Sequence, residues 1–395
     1  MVKISNQEKL HPFMGVALFA VVMGAVLTLG AYMQRNWGMV GLVTTEIMFV
    51  IIALIFCVIR KIDIKEMFPV RKIRGADVFG CLLIHIGAFL LSMLSTLVVG
   101  ILFPSTLKVA DALNSFIFGG MPFIVTFLIV AVLPAICEEA IHRGAILSCF
   151  RSIKKDWVIV LIMAVFFGLF HIYPIKFMST AILGGALSFV LVKKNNILLP
   201  MLMHFCNNAF SVIVSYASGS ASGGSSASLS GTNLMPALGA YLILGCAAPL
   251  LMVLGAKLLR PDQHKKKRFM IAGIMTAALL AAGIAVTVFG AGNSYLNCTI
   301  GYDVTEDKME YQALDFDIEQ DTQALVVVSL SNAGGDYTVR IDGDKGSNII
   351  NAPVPKGNAR MFWYRCDFQA DHYRITFVAD DNAVGETPNF SIVIQ

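Results

Sequence analysis

Charge is what this sequence has least of. Only 14% of its 395 residues are Asp, Glu, Lys or Arg, against about 25% in an ordinary soluble domain. The hydrophobic class fills 56%. That balance excludes a disordered chain, which needs low hydrophobicity and high charge. It also excludes a nucleic-acid partner, which calls for a basic surface on a soluble fold. Eight cysteines in a chain of this length are too sparse for a disulfide-stapled secreted scaffold. No A-x-A-like cleavage site closes the first apolar run, which is also too long for a signal-peptide core, so it is expected to stay as a span. No internal repeat is visible, and with it the inverted-repeat mark of many transporters is missing. No His-Glu-x-x-His occurs, which removes the usual helical signature of a zinc peptidase.

What the sequence does have is long apolar runs. A helix needs roughly 20 apolar residues to cross the hydrocarbon core. Nine stretches qualify, near 12–33, 38–59, 78–103, 121–149, 157–173, 176–192, 195–216, 236–258 and 269–290. The fifth and sixth are short, with Pro174 between them marking a tight turn. With the N-terminus in the cytoplasm, inside segments carry 19 Lys and Arg and outside loops only Arg35, Lys108 and Lys176. That asymmetry obeys the positive-inside rule. An odd number of spans then leaves the C-terminus outside.

The two ends of the chain differ in charge. Residues 1–290 hold 23 Lys and Arg against 10 Asp and Glu, and residues 291–395 hold 7 against 16. From Asn293 the segments Ala324–Leu330, Tyr337–Ile341, Arg360–Cys366 and Tyr373–Val378 are short and rich in Val, Ile, Tyr and Phe. Gly-Gly, Asp-Gly, Pro and Asn punctuate them, the signature of strands at sandwich spacing. The expected fold is an all-α polytopic membrane helix bundle of about nine transmembrane helices with a small C-terminal extracytoplasmic β-sandwich-like domain. Cys298 and Cys366 both fall in that domain. A disulfide is permitted there, and two free thiols are an equal expectation. The stretch 217–232 is uncharged Gly/Ser/Ala and reads as a flexible outside linker.

Ionisable groups inside a span are costly and mark function by default. The first 290 residues hold few within the runs: Glu46, His85, Glu138, Glu139, His142, Arg143, His171 and His204. At 1.5 Å per residue, Glu138 lies roughly 18 Å from its helix end, His171 roughly 21 Å, His204 roughly 14 Å and Asn208 roughly 20 Å. Three helices therefore bring these groups near one level. Glu139 and Arg143 are four apart and pair on one face. Phe167 and His171, and His204 and Asn208, repeat the spacing. A carboxylate beside a histidine can strip a proton from water. A second histidine and an amide can donate to the oxyanion that follows. That combination suits peptide hydrolysis. Glu46 and His85 belong to no such set, and local hydrogen bonding is expected for them.

Glu138-Glu139-x-x-x-Arg143, Phe167-x-x-x-His171 and His204-x-x-x-Asn208, in this order, resemble the three motifs of the CPBP family, the CAAX-protease and bacteriocin-processing (Abi) group. The resemblance covers about residues 121–215. It implies an intramembrane glutamic-type endopeptidase with a largely eight-helix core. By that resemblance Glu138 is the general base and His171 its partner. Glu139 and Arg143 organise the site, and His204 with Asn208 form the oxyanion hole; the spacing itself leaves the Phe167 ring available to wall His171. The chain then divides into N-terminal helices (1–120), a catalytic CPBP-type core (121–216), a Gly/Ser loop with the last two helices (217–290) and the β-domain (291–395). The family core offers no role for a ninth helix or for a β-domain.

Three function classes follow. The first is the intramembrane endopeptidase, with no cofactor required. The second is a zinc-dependent membrane peptidase in which Glu138, His171 and His204 are the ligands. The third is a non-hydrolytic immunity or scaffold protein that sequesters a peptide. A complete motif set favours the enzyme. The expected setting is a bacterial cell membrane, multi-pass, with lipid on all sides and a membrane-associated peptide or protein as substrate. Leader, pheromone or bacteriocin processing is the expected task, and the β-domain is a candidate dock for a partner.

Overall fold

An apolar run hides its backbone from lipid by closing every hydrogen bond within itself, and a helix does this for each run in turn. The computed structural model describes residues 10–394 apart from 104–105, 107–112, 114–115, 118–119, 218–233, 261–264, 293–295, 308, 332, 347 and 355–359. Among the described residues, helices occupy the nine expected stretches, and eight are long and apolar enough to cross a membrane. These eight are α1 (Pro12–Trp37), α2 (Met39–Arg60), α3 (Gly75–Leu102), α4 (Phe123–Ile146), α6 (Pro174–Lys194), α7 (Leu198–Ala217), α8 (Ala237–Leu259) and α9 (Lys266–Val288). Helix α5 (Asp156–Phe170) has 15 residues, about 22 Å, which is short of the ~30 Å core. The low-complexity stretch from 218 onward, Lys3, Lys9 and Lys108 lie outside the described residues.

Helices α5 and α6 form an antiparallel hairpin. Lys193 at the end of α6 pairs with Asp156 at the start of α5 at 2.8 Å. At the other end Gly168 lets α6 close in, since a Cβ there would stand 2.9 Å from the Phe177 carbonyl. Ile172 makes the turn at φ 62°, a left-handed conformation that a β-branched residue rarely adopts. The cationic segments gather at one end of the helices. Asp77 binds Arg74 at 2.9 Å and Lys194 at 2.8 Å, and Arg71 donates to the Asn195 carbonyl at 3.2 Å. Lys194 also reaches the Leu259 carbonyl at 3.4 Å. Inside, Phe49, Ile141, Phe150 and Phe170 pack one apolar cluster, and Ile84, Leu187, Val190 and Met203 pack another.

The chain divides into two compact units, 1–224 with 241–280, and 225–240 with 281–395. The second holds two four-stranded antiparallel sheets of order β1-β8-β3-β6 and β2-β7-β4-β5. Their strands are β1 (Leu296–Gly301), β2 (Glu310–Ile318), β3 (Thr322–Ser331), β4 (Tyr337–Gly343), β5 (Asn348–Pro353), β6 (Arg360–Phe368), β7 (Asp371–Ala379) and β8 (Asn389–Ile394). Alternate residues such as Val326, Val328, Val339, Ile341, Ile375 and Phe377 fill the space between the sheets. Cys298 on β1 and Cys366 on β6 are both free. They sit on opposite edges of one sheet, three strand spacings or roughly 14 Å apart, too far for a bridge.

Candidate active site

Pro134 stands inside α4 and has no N–H for the carbonyl of Val130 four residues back. Around it the helix loosens into π winding at Phe127–Val132 and again at Ala140–Ile146. Such turns inside α-helices are frequent at functional sites. The Val130 carbonyl finds another donor: Asn208 Nδ2 of α7 gives it a hydrogen bond of 3.0 Å. Two further bonds lock α7 antiparallel to α4. Thr126 meets the Tyr216 hydroxyl at 2.7 Å, and His204 Nδ1 donates to Glu139 Oε1 at 2.9 Å.

Glu139 is the hub. The same Oε1 accepts from Arg143 Nη1 at 2.9 Å, as the four-residue spacing predicts. Arg143 Nη2 continues to the Gly184 carbonyl of α6 at 2.9 Å. Gly184 also lets α6 close on α5, because a Cβ there would stand 2.6 Å from Phe167 Cβ. Glu139 and Arg143 both have no exposed surface. Mutual pairing keeps two such buried charges tolerable. The Arg143 guanidinium also lies over the Phe167 ring, 4.3 Å from its centroid.

Glu138 points elsewhere, and its Oε2 is buried with no hydrogen-bond partner. His204 Nε2 is 3.9 Å from that oxygen, too long for a direct hydrogen bond. One imidazole thus joins the two carboxylates, Nδ1 toward Glu139 and Nε2 toward Glu138. His171 closes α5 and donates from Nδ1 to the Phe167 carbonyl at 2.8 Å, which leaves its Nε2 for other work. Its ring and that of His204 stand edge-on to Phe167, with centroids 4.9 and 5.8 Å away. His142 donates to the Glu138 carbonyl at 3.0 Å and packs against Phe167 and Phe170.

The structure therefore brings together Glu138, Glu139, Arg143, Phe167 and His204, with His171 beside them on the shared ring. Asn208 gives one N–H of its amide to a main-chain carbonyl. Two groups that no motif marks also approach. Glu46 of α2 lies within electrostatic reach of Glu138, and His85 of α3 within reach of His204. Their only sequence signal was the cost of an ionisable group in mid-span. Glu46 Oε2 is buried without a partner, contrary to the local hydrogen bonding expected of it. Zinc at this site would require Glu138, His171 and His204 to converge. Among the described residues no three His, Cys, Asp or Glu are grouped to hold a metal ion; the Nδ1 atoms of both histidines are engaged, which leaves their Nε2 atoms as the ones that could meet a ligand.

Residues 120–210 match the family described as type II CAAX prenyl endopeptidase Rce1-like. This segment is Rce1-like. It spans less than a quarter of the chain and contains all three motifs, so the resemblance they carry stands over that segment. The Rce1-like match and the apolar helices together support a CAAX-protease-like intramembrane peptidase that passes the membrane several times. Comparison with curated proteins and with solved structures returns no match.

Proposed function

We propose that the protein is an intramembrane endopeptidase in which Glu138 activates water against a peptide bond of a membrane-associated substrate. The observation that carries this reading is the placement of His204, bonded to Glu139 at 2.9 Å and facing the unpartnered Glu138 oxygen at 3.9 Å. Water donates one proton toward the Glu138 carboxylate and another toward His171 Nε2. Glu138 takes its proton as the water oxygen adds to the carbonyl carbon. The resulting oxyanion accepts from Nε2–H of a His204 imidazolium, whose charge the Glu139 carboxylate offsets. When the tetrahedral species collapses, the C–N bond breaks and Glu138 returns its proton to the leaving amine. Each step conserves charge within the buried cluster. Leader, pheromone or bacteriocin precursors are the substrate class we favour over a prenylated protein.

The test is purified protein in detergent, treated exhaustively with a strong chelator and assayed for bound metal. Activity should persist without stoichiometric zinc. Glu138→Gln keeps the shape and loses the base, and should cost about 10²–10⁴-fold in rate with folding intact. Activity that disappears on chelation and returns with zinc would sink the mechanism.

A further inference from the structure

A cavity of about 910 Å³ lies between α5, α6, α8 and the start of α9. Its walls are mostly apolar, among them Val160, Ala164, Ala181, Ile182, Gly185 and Phe189. One end is different in kind. Lys154, Lys193, Lys257, Arg260 and Arg268 line it, with Asp156 as the one carboxylate. These groups share a level. The Lys193–Asp156 pair joins the ends of α6 and α5 at 2.8 Å, and Lys194 joins α6 to the end of α8 through the Leu259 carbonyl. Lys257 Nζ lies 5.6 Å from the Phe269 ring, which brings in the start of α9. Trp157 stands at the same end and is 63% exposed, the usual place for an aromatic at a membrane interface. From Lys193 to Met178, also in the lining, α6 rises roughly 22 Å. One leaflet of the hydrocarbon core is roughly 15 Å.

An apolar slot of that depth, capped by five cations against one carboxylate, matches an amphiphile with an anionic head and a long hydrocarbon tail. Basic pockets between membrane helices bind anionic lipid headgroups on the same principle. We propose that this groove is a binding site for one anionic phospholipid, with its phosphate on the Lys257 and Arg260 end and an acyl chain along α6. The groove is separate from the buried carboxylates. Gly185 lines it, while the adjacent Gly184 turns its carbonyl to Arg143 on the other side of α6.

The experiment is native mass spectrometry of the full chain, titrated with phosphatidylglycerol, with phosphatidylcholine of the same chains, and with glycerol phosphate. The first phosphatidylglycerol should bind at least roughly tenfold more tightly than phosphatidylcholine, and Lys257→Ser with Arg260→Ser should remove most of that preference. Both residues are exposed at a helix end, so the fold should tolerate the pair. Ala256→Trp, which fills the slot, should weaken both lipids, with a thermal melt reporting folding. Lys61→Ser with Lys65→Ser, on another cationic segment, should leave binding unchanged. Equal affinity for the two lipids, or equal loss in the Lys61/Lys65 control, would overturn the site. So would full competition by glycerol phosphate, or displacement by a farnesylated peptide that ignores the cation variants.

Discussion

His204 and Asn208 stand one turn apart on α7, yet one faces a carboxylate pair and the other repairs a helix. Because Pro134 cannot supply Val130, the Asn208 amide does. Asn208→Ala takes from a part-buried carbonyl its side-chain donor, so we expect about 1 kcal/mol less stability. The rate of the molecules that remain folded should stay near that of the parent. His204→Ala should behave in the opposite sense, with a loss on the order of 10²–10³ in kcat, as for other oxyanion donors. Thermal melts in detergent and kcat at a permissive temperature separate the two. A parental melting temperature with a hundredfold slower Asn208→Ala enzyme would return that residue to the reaction. The Glu139–Arg143 pair was legible because helical spacing alone determines it. The partner of Asn208 was not, since a proline on a different helix creates the vacancy that it fills.

At the scale of elements, the α5–α6 hairpin shows where hydropathy stops being informative. The apolar run continues past Phe170, and Pro174 is the sequence's one mark of the turn. What ends α5 is a backbone reversal at Ile172, whose side chain is half exposed. The left-handed conformation costs a non-glycine residue about 1–2 kcal/mol, and glycine gives back part of that through its own entropy. Ile172→Gly should therefore raise stability by about 1 kcal/mol, read as a higher melting temperature. A drop would mean that Ile172 packing outweighs the strain. The turn lies one residue from His171, so loosening it should raise KM or lower kcat while it stabilises. The sandwich strands were legible for a simpler reason. Alternation along β4 and β7 puts every second side chain in the core.

At the scale of the molecule, the β-domain belongs to a compact unit of its own, and every candidate catalytic group lies in the other. Deleting 293–395 should leave cleavage of a short unstructured peptide within about threefold, because on the proposed mechanism the barrier is set by groups buried around Glu138. Complete loss in a folded truncation would place part of the site in the tail. The side on which the tail emerges depends on parity. A hairpin returns to the side it left, so α5 and α6 add two crossings or none. An odd count, and with it the expected outside tail, is therefore compatible with the shortness of α5. Protease added to intact cells should release an acidic β-rich fragment, whereas a fragment protected until lysis would reverse the topology. The link between α4 and α7 has a further consequence during synthesis. Until α7 enters the membrane, the Val130 carbonyl lacks its side-chain donor, Glu139 lacks one of its two partners, and Glu138 faces no imidazole from His204. On the proposed mechanism, a ribosome that has delivered only the first six helices holds a chain whose centre is incomplete, and α7 is the element that completes it.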